Sequence, residues 1–310
     1  MAKTILVTGG AGFIGSHTVD LLISKGYHVI VVDNISTGAK HNLNKKAKFI
    51  LTDIRKINKH LKKLKNVDAV LHFASQISVT NSIRDPANDL SINAEGSINL
   101  LDMCKDLGIG KFVFASSCAV YGLSPHLPVG ESNNVNPQNP YAISKRAVEM
   151  YMDFYSQAYG INCTSLRYAN VYGPRQSYLG EAGVVTVFIN NILRNQKPVI
   201  FGDGHQTRDF VYVADVAEAN LKVLEQNKMP KAVNIGTNTQ ITINSLLEKL
   251  TVLMNKHNIE PLHKKARKGE VRFSSLDIKL ANNELGWKPK KNLDEGLKET
   301  IGWFKLKRNL

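Results

Sequence analysis

Cysteine is scarce in this sequence: three residues, Cys104, Cys118 and Cys163, in a chain of 310. Their wide, uneven spacing excludes a disulfide framework or a zinc knuckle, and free thiols in a reducing compartment are expected. The nine histidines contain no HxxxH spacing, so no metal site is predicted. With 10 prolines and 22 glycines beside a 43% apolar share, neither collagen nor disorder fits. No run approaches the ~20 apolar residues that cross a bilayer, so no membrane association is expected. The opening MAKTILVTGG enters a β-like run at once, without a charged segment, an apolar segment and a cleavage site, and a cytoplasmic location is expected. Acidic residues are also in deficit, 26 against 40 Lys plus Arg, giving +14. The basic runs KHLKKLK (59–65), KKARK (264–268) and KPKK (288–291) lack interleaved aromatics and any nucleic-acid reading module. They read as solvated faces, so no nucleic-acid partner is expected, while the basic field suits a small acidic ligand.

What is present is a regular alternation. Strand-like runs KTILVT (3–8), HVIVVD (28–33), AKFILT (47–52), DAVLHF (68–73), KFVFAS (111–116) and CTSLRY (163–168) are separated by helical patterns, clearest at 13–25, 87–107 and 141–159. Continuous apolar strands between helices imply a parallel sheet covered on both faces, a doubly wound α/β (Rossmann) fold. Beyond residue 168 the rhythm breaks into loops and short segments. A helix at 215–226 and a strand at 231–236 rejoin the large domain. The expected division is a dinucleotide-binding domain, 1–168 with about 209–236, and a smaller mixed α/β lobe from 169–208 and 237–310. The lobe ends in an amphipathic helix with Leu293, Leu297, Ile301 and Phe304 at helical spacing.

TGGAGFIGSH follows the first strand, with Gly9, Gly12 and Gly15 in a GxxGxxG spacing and a helical pattern from Phe13. Such glycines permit a tight turn, close backbone approach to a pyrophosphate and close helix-to-strand packing, and the helix N-terminus offers N–H donors to an anion. Asp33 ends the second strand, where a carboxylate can take both ribose hydroxyls of an adenosine. A 2′-phosphate there would meet like charge, and NISTG after it carries no Arg or Lys, so NAD is expected over NADP. Read without that context, the glycines make only a tight turn and Asp33 only caps a strand end.

NPYAISK (139–145) sets Tyr141 and Lys145 four apart, with Asn139 as helix cap and Pro140 in the first turn, so both side chains leave one helix face. Tyrosine and lysine at this spacing also make an ordinary amphipathic face. A dinucleotide domain and a serine-bearing strand end before them favour chemistry: a phenol of pKa ~10 becomes a usable base when an ammonium and a nicotinamide cation lower it by ~3 units.

TGGAGFIGSH, DNISTG, HFAS, SSCAVYG, NPYAISK, LRYANVYGPRQ, FGDGHQTRDFVYVADVA and ELGWKP together resemble the extended short-chain dehydrogenase/reductase family, most closely its UDP-glucose and UDP-N-acetylglucosamine 4-epimerases. The resemblance implies a triad of Ser117, Tyr141 and Lys145. It implies cofactor contacts from Gly9, Gly12, Phe13, Ile14, Gly15, Asp33, Asn34, Ser36, Thr37 and Gly38. Asp53 and Ile54 match residues beside the adenine, Phe73, Ala74 and Ser75 the loop under the cofactor, and Asn93, Ser116 and Tyr168 further neighbours. Asn170, Val185, Phe201, Arg208, Arg267 and Glu270 match residues around the diphosphate, uracil and ribose of a UDP-sugar, and Ser274 matches a size gate beside the sugar. A homodimer through a four-helix bundle of 87–107 and 141–159 is likewise implied.

Dehydratases resembling this fold place Asp and Glu directly after the triad Ser or Thr; here Cys118 and Ala119 stand there, and neither supplies carboxylate acid/base catalysis. The minimal cycle remains: oxidation at the sugar C4, rotation of a 4-keto sugar, and reduction on the other face. A UDP-glucuronate 4-epimerase would need a cation for the C6 carboxylate, and none is evident. A silent NAD- or nucleotide-sensing protein would lack Tyr or Lys, and both are present.

Overall fold

The computed structural model describes residues 2–178, 183–228, 230–266 and 271–308. Its first half runs β1 (Thr4–Thr8), α1 (Phe13–Ser24), β2 (His28–Asp33), β3 (Lys48–Leu51), a 3-10 stretch (Ile54–Lys63), β4 (Ala69–His72), α2 (Val79–Arg84), α3 (Pro86–Leu90), a π turn (Ser91–Glu95), α4 (Gly96–Leu107), β5 (Lys111–Ser117), α5 (Pro140–Tyr159) and β6 (Asn162–Tyr168). There follow β7 (Asn170–Tyr172), α6 (Val184–Leu193), β8 (Val199–Phe201), β9 (Thr207–Arg208), β10 (Phe210–Tyr212), α7 (Val213–Glu225), β11 (Ala232–Ile235), β12 (Ile241–Thr242), α8 (Ile243–Leu253), β13 (Leu262–Lys264), α9 (Lys279–Leu285) and α10 (Leu293–Arg308).

Seven strands form one parallel sheet in the order β3-β2-β1-β4-β5-β6-β11. Ile5 and Val7 pack into the cluster on one face and Leu6 into that on the other, so the middle of β1 is a continuous apolar run without alternation. Each such side chain contributes roughly 1.5–3 kcal/mol of burial. The expected doubly wound sheet is therefore what the chain forms. The chain reverses direction across the sheet between β1 and β4, and the crevice outside their carboxyl ends is where ligands of such sheets bind.

The helical stretch expected over 87–107 is present but interrupted: α3 and α4 are joined by the π turn, whose wider winding carries Asn93. A third apolar cluster gathers Val185, Phe188, Ile192, Phe210, Leu246, Leu250, Leu297, Ile301 and Phe304 from α6, β10, α8 and α10. By contrast, Leu276, Ala281, Leu285 and Trp287 pack into the sheet's own cluster, with the Trp287 indole donating to the Asp215 carbonyl of α7 at 2.9 Å. That stretch lies within 237–310, which the sequence assigned wholly to the smaller lobe.

Candidate active site

Gly9 is the first residue past β1 and has φ of +69°, a left-handed conformation open mainly to glycine. A Cβ there would lie 2.6 Å from the Ala74 nitrogen, so Gly9 also lets the turn after β1 close against the turn after β4. A Cβ on Gly15 would sit 2.2 Å from the Gly9 carbonyl oxygen, which fixes how near α1 approaches the strand. No side chain caps α1 at Gly12 and no acidic residue lies in its first turn, leaving its leading N–H groups suited to an anion. Asp33 ends β2 with one oxygen accepting from the Ala11 N–H (3.0 Å) and the other from the Ile35 N–H (2.8 Å), and each oxygen keeps a further lone pair for a ribose hydroxyl. These residues fit an NAD pyrophosphate and adenosine ribose. Asn34, Ser36 and Thr37 are exposed beside it, and Gly38 lies close enough to Ala11 that a Cβ would meet its carbonyl at 2.9 Å.

Asp53 caps the 3-10 stretch and accepts from the Arg55 N–H, Nε and Nη2 at 2.9, 3.0 and 2.7 Å. The Arg55 hydrogen bonds hold its carboxyl down at about 2 despite partial burial. Ile54 is buried against Gly96, whose added Cβ would come within 2.5 Å of it. Phe73, Ala74 and Ser75 form the turn after β4, with the Ala74 N–H donating to Thr8 Oγ1 (3.3 Å). His72 is buried between Thr8 Oγ1 (2.6 Å) and Ser97 Oγ (2.8 Å). Burial pushes its imidazole down to about 3, so it is neutral.

Ser117 ends β5 and its hydroxyl accepts from the Ala119 N–H at 3.2 Å. Asn139 caps α5 by accepting from the Ala142 N–H at 3.0 Å, and Pro140 occupies the first turn, which aims Tyr141 and Lys145 back at the end of β5. The Ser117 hydroxyl faces the Tyr141 phenol. Lys145 is 3% exposed; its Nζ donates to the Ala115 carbonyl (2.8 Å) and lies 4.7 Å from the Phe114 ring centroid and 5.8 Å from that of Tyr141. In the protein alone burial pushes Tyr141 up to about 12, against the lowering expected from the sequence, and pushes Lys145 down to about 7. Desolvation outweighs the local charges in both.

Several side chains assigned from the sequence are otherwise engaged. The Ser116 hydroxyl donates to Glu149 (2.7 Å), Tyr168 donates to Asn220 (2.9 Å), and Val185 is buried in the third cluster. Asn93 accepts from the Gln76 N–H (2.7 Å) and donates to Gln76 O (3.1 Å), Asp89 Oδ1 (3.2 Å) and Ser144 Oγ (3.0 Å), so its amide joins the turn after β4 to α5. Asn170 is exposed in β7, Phe201 ends β8, and Arg208 in β9 donates to the Thr207 carbonyl (2.7 Å). Ser274 donates its N–H to Thr207 Oγ1 (3.3 Å), and its hydroxyl lies beside the Cys118 thiol, which burial pushes up to about 11. Arg267 and Glu270 lie outside the described residues. No cluster able to hold a metal and no helix long and apolar enough to cross a membrane occurs among the described residues.

Sequence reasoning did not find the buried ion pair behind the site. Arg167 of β6 donates to Glu149 of α5 through Nε (2.9 Å) and Nη2 (2.8 Å), and through Nη1 to the Tyr121 hydroxyl (2.9 Å). Tyr121 in turn donates to Asn234 at 2.7 Å, which makes it structural.

A family model described as the NAD dependent epimerase/dehydratase family matches residues 5–236. A putative UDP-glucose 4-epimerase of Methanocaldococcus jannaschii is 50% identical, over 97% of this chain and 98% of its own length. The structure of a UDP-glucose 4-epimerase from Thermotoga maritima with UDP-glucose is 45% identical with a TM-score of 0.95, covering 98% of this chain and 99% of that one. That of a UDP-N-acetylglucosamine 4-epimerase from Methanobrevibacter ruminantium, in complex with UDP-N-acetylmuramic acid, is 37% identical with a TM-score of 0.94, covering 99% of each chain. The glycine turn, the carboxylate ending β2 and these likenesses agree: the chain belongs to the NAD dependent epimerase/dehydratase family, with NAD as its cofactor.

Proposed function

We propose that this chain is a 4-epimerase of UDP-hexoses, interconverting UDP-glucose and UDP-galactose through a 4-keto sugar and accepting the N-acetylated pair as well. The observation that carries the reading is the meeting of Ser117, Tyr141 and Lys145 at the carboxyl edge of the sheet, with a thiol and a methyl, Cys118 and Ala119, in the two positions after the serine. Tyr141 takes the proton of the sugar 4-hydroxyl, Ser117 orients that oxygen, and Lys145 supplies positive charge to a phenol that burial otherwise keeps protonated. NAD, when bound, supplies a reversible two-electron acceptor. What leaves C4 returns to C4, so no net oxidant or reductant is consumed. The sugar turns between the two half-reactions, which requires a held nucleotide; Arg208, with Arg267 and Glu270, is assigned to that role.

Acceptance of the larger sugars is supported by Ser274, a small side chain next to Cys118 and so near the catalytic serine. A homodimer is supported by α5, where Ile143, Met150, Tyr151 and Phe154 repeat at helical spacing yet are exposed. A cytoplasmic location goes with the free cysteines. Purified protein given UDP-glucose, UDP-N-acetylglucosamine or UDP-glucuronate without added NAD, with C4 configuration followed by NMR, tests the reading. Conversion of the first two is expected, and Ser274→Tyr should suppress only the N-acetylated one. No conversion of any by NAD-loaded protein would overturn the assignment.

A further inference from the structure

The proposed chemistry leaves one buried charge beside it unused, that of Asp89. It lies in α3, 1% exposed, one turn before Asn93, where the helix widens into the π turn. Its Oδ1 accepts from Gln76 Nε2 (2.6 Å) and Asn93 Nδ2 (3.2 Å), while Oδ2 has no hydrogen-bond partner among the described residues. A carboxylate oxygen buried without a donor is costly, so its presence calls for a compensating interaction. Asp89's charge reaches both Tyr141 and Lys145.

The other charged and titratable groups facing this pair are differently placed. Glu149, one turn beyond Lys145 on α5, has its oxygens taken by Arg167, Arg146 and Ser116. His72, from β4, is neutral between Thr8 and Ser97. Cys118, after β5, faces Tyr141 as a thiol that burial raises to about 11. Asp89 is thus the anion near Lys145 with an oxygen uncommitted among the described residues. It is also mechanically tied to the base, since Asn93 donates to Ser144 Oγ (3.0 Å) and Ser144 donates to the Tyr141 carbonyl (2.9 Å).

We propose that Asp89 is a positioning residue for Tyr141 and Lys145, its carboxylate retaining the Lys145 ammonium while its Oδ1 locks the turn after β4 and the π turn against the first turn of α5. The inference rests on the reading of Tyr141 and Lys145 as the acid/base pair. Removing the charge favours the deprotonated form of both groups, so both limbs of the pH–rate profile move to lower pH. Loosening of the hydrogen bonds alone would slow the reaction at every pH without moving either limb.

The test is an NMR titration of the full chain carrying isotope-labelled lysine, with the Lys145 resonance assigned by its loss in Lys145→Met. Asp89→Asn and Asp89→Ser should lower the Lys145 midpoint by about one pH unit, and Asp89→Glu, which keeps the charge but displaces the hydrogen bonds, should leave it within a few tenths. In turnover, the neutral variants should show the same acidward displacement, about tenfold in rate on the descending limb. An unchanged Lys145 midpoint in both neutral variants, or an equal shift in Asp89→Glu, overturns the proposal. Two neutral variants guard against one failing to fold, and the titration decides even if no UDP-sugar is turned over.

Discussion

Arg167→Met should cost about 3–5 kcal/mol of stability near neutral pH, because it removes one partner of a buried pair and leaves the other charged. Arg167 and Glu149 are 5% and 4% exposed at the side chain, so solvent does not screen the loss. Glu149 would lose two charge-assisted hydrogen bonds, each worth roughly 1.5–3 kcal/mol. It would keep the Ser116 hydroxyl and Arg146, whose side chain is 34% exposed and therefore compensates weakly. The pH dependence makes the prediction specific. In the intact protein burial alone would raise the Glu149 carboxyl, but Arg167, with Ser116 and Arg146, holds it below its ordinary value. Its stabilisation is therefore present above the unfolded carboxyl's pKa and is lost as pH falls through the lower folded value. Without Arg167, burial prevails and the folded value rises, so the variant's penalty is relieved as pH falls and Glu149 takes up a proton. Urea unfolding of wild type, Arg167→Met, Glu149→Gln and the double variant at about pH 8 and about pH 5.5 measures this. The gap between wild type and Arg167→Met should narrow at the lower pH, and the double variant should cost less than the two single costs added. A gap below about 1 kcal/mol, or one equal at both pH values, would refute the reasoning.

Gly15→Ala, whose Cβ would stand 2.2 Å from the Gly9 carbonyl, should force α1 off the strand and cost both NAD retention and stability, read by bound-nucleotide absorbance and thermal unfolding. Tyr141→Phe should reduce epimerisation by about 10²–10⁴-fold while NAD stays bound, and undiminished turnover would remove Tyr141 from the mechanism. Phe154→Glu, on the exposed face of α5 where the native ring is 53% exposed, should convert a dimer to a monomer in sedimentation experiments. An unchanged sedimentation coefficient would place any dimer contact elsewhere.

The sheet was legible because its strands are buried on both faces, so the middles of β1, β2, β4 and β5 read as continuous apolar runs, whereas β6 also buries Thr164, Ser165 and Arg167. The glycine turn and the placing of Tyr141 and Lys145 on one face of α5 were legible because each depends on local spacing along one turn or one helix. The smaller lobe was not: β8, β9, β12 and β13 have two or three residues each, too short for any periodicity, and each pairs with a partner far along the chain. The π turn also left no local mark in SINAE, since its widening depends on Asn93 reaching Gln76, Asp89 and Ser144 at once. Glu149 and Arg167 are 18 residues apart on different elements, and only the docking of α5 on the sheet brings them together.

That docking gives the ion pair a bearing on the chemistry. Tyr141, Lys145 and Glu149 fall at successive turns of α5, so an unengaged Glu149 would be the natural partner for Lys145. Instead Arg167 occupies both Glu149 oxygens, and the Lys145 ammonium turns to the Ala115 carbonyl beside Tyr141. Without Arg167, the uncompensated Glu149 charge should raise the Lys145 titration midpoint at pH values where Glu149 stays ionised, the opposite of the effect of neutralising Asp89. The same lysine NMR titration reads both. If Lys145 titrates identically with and without Arg167, the pair only stabilises the fold, and the orientation of Lys145 has another origin.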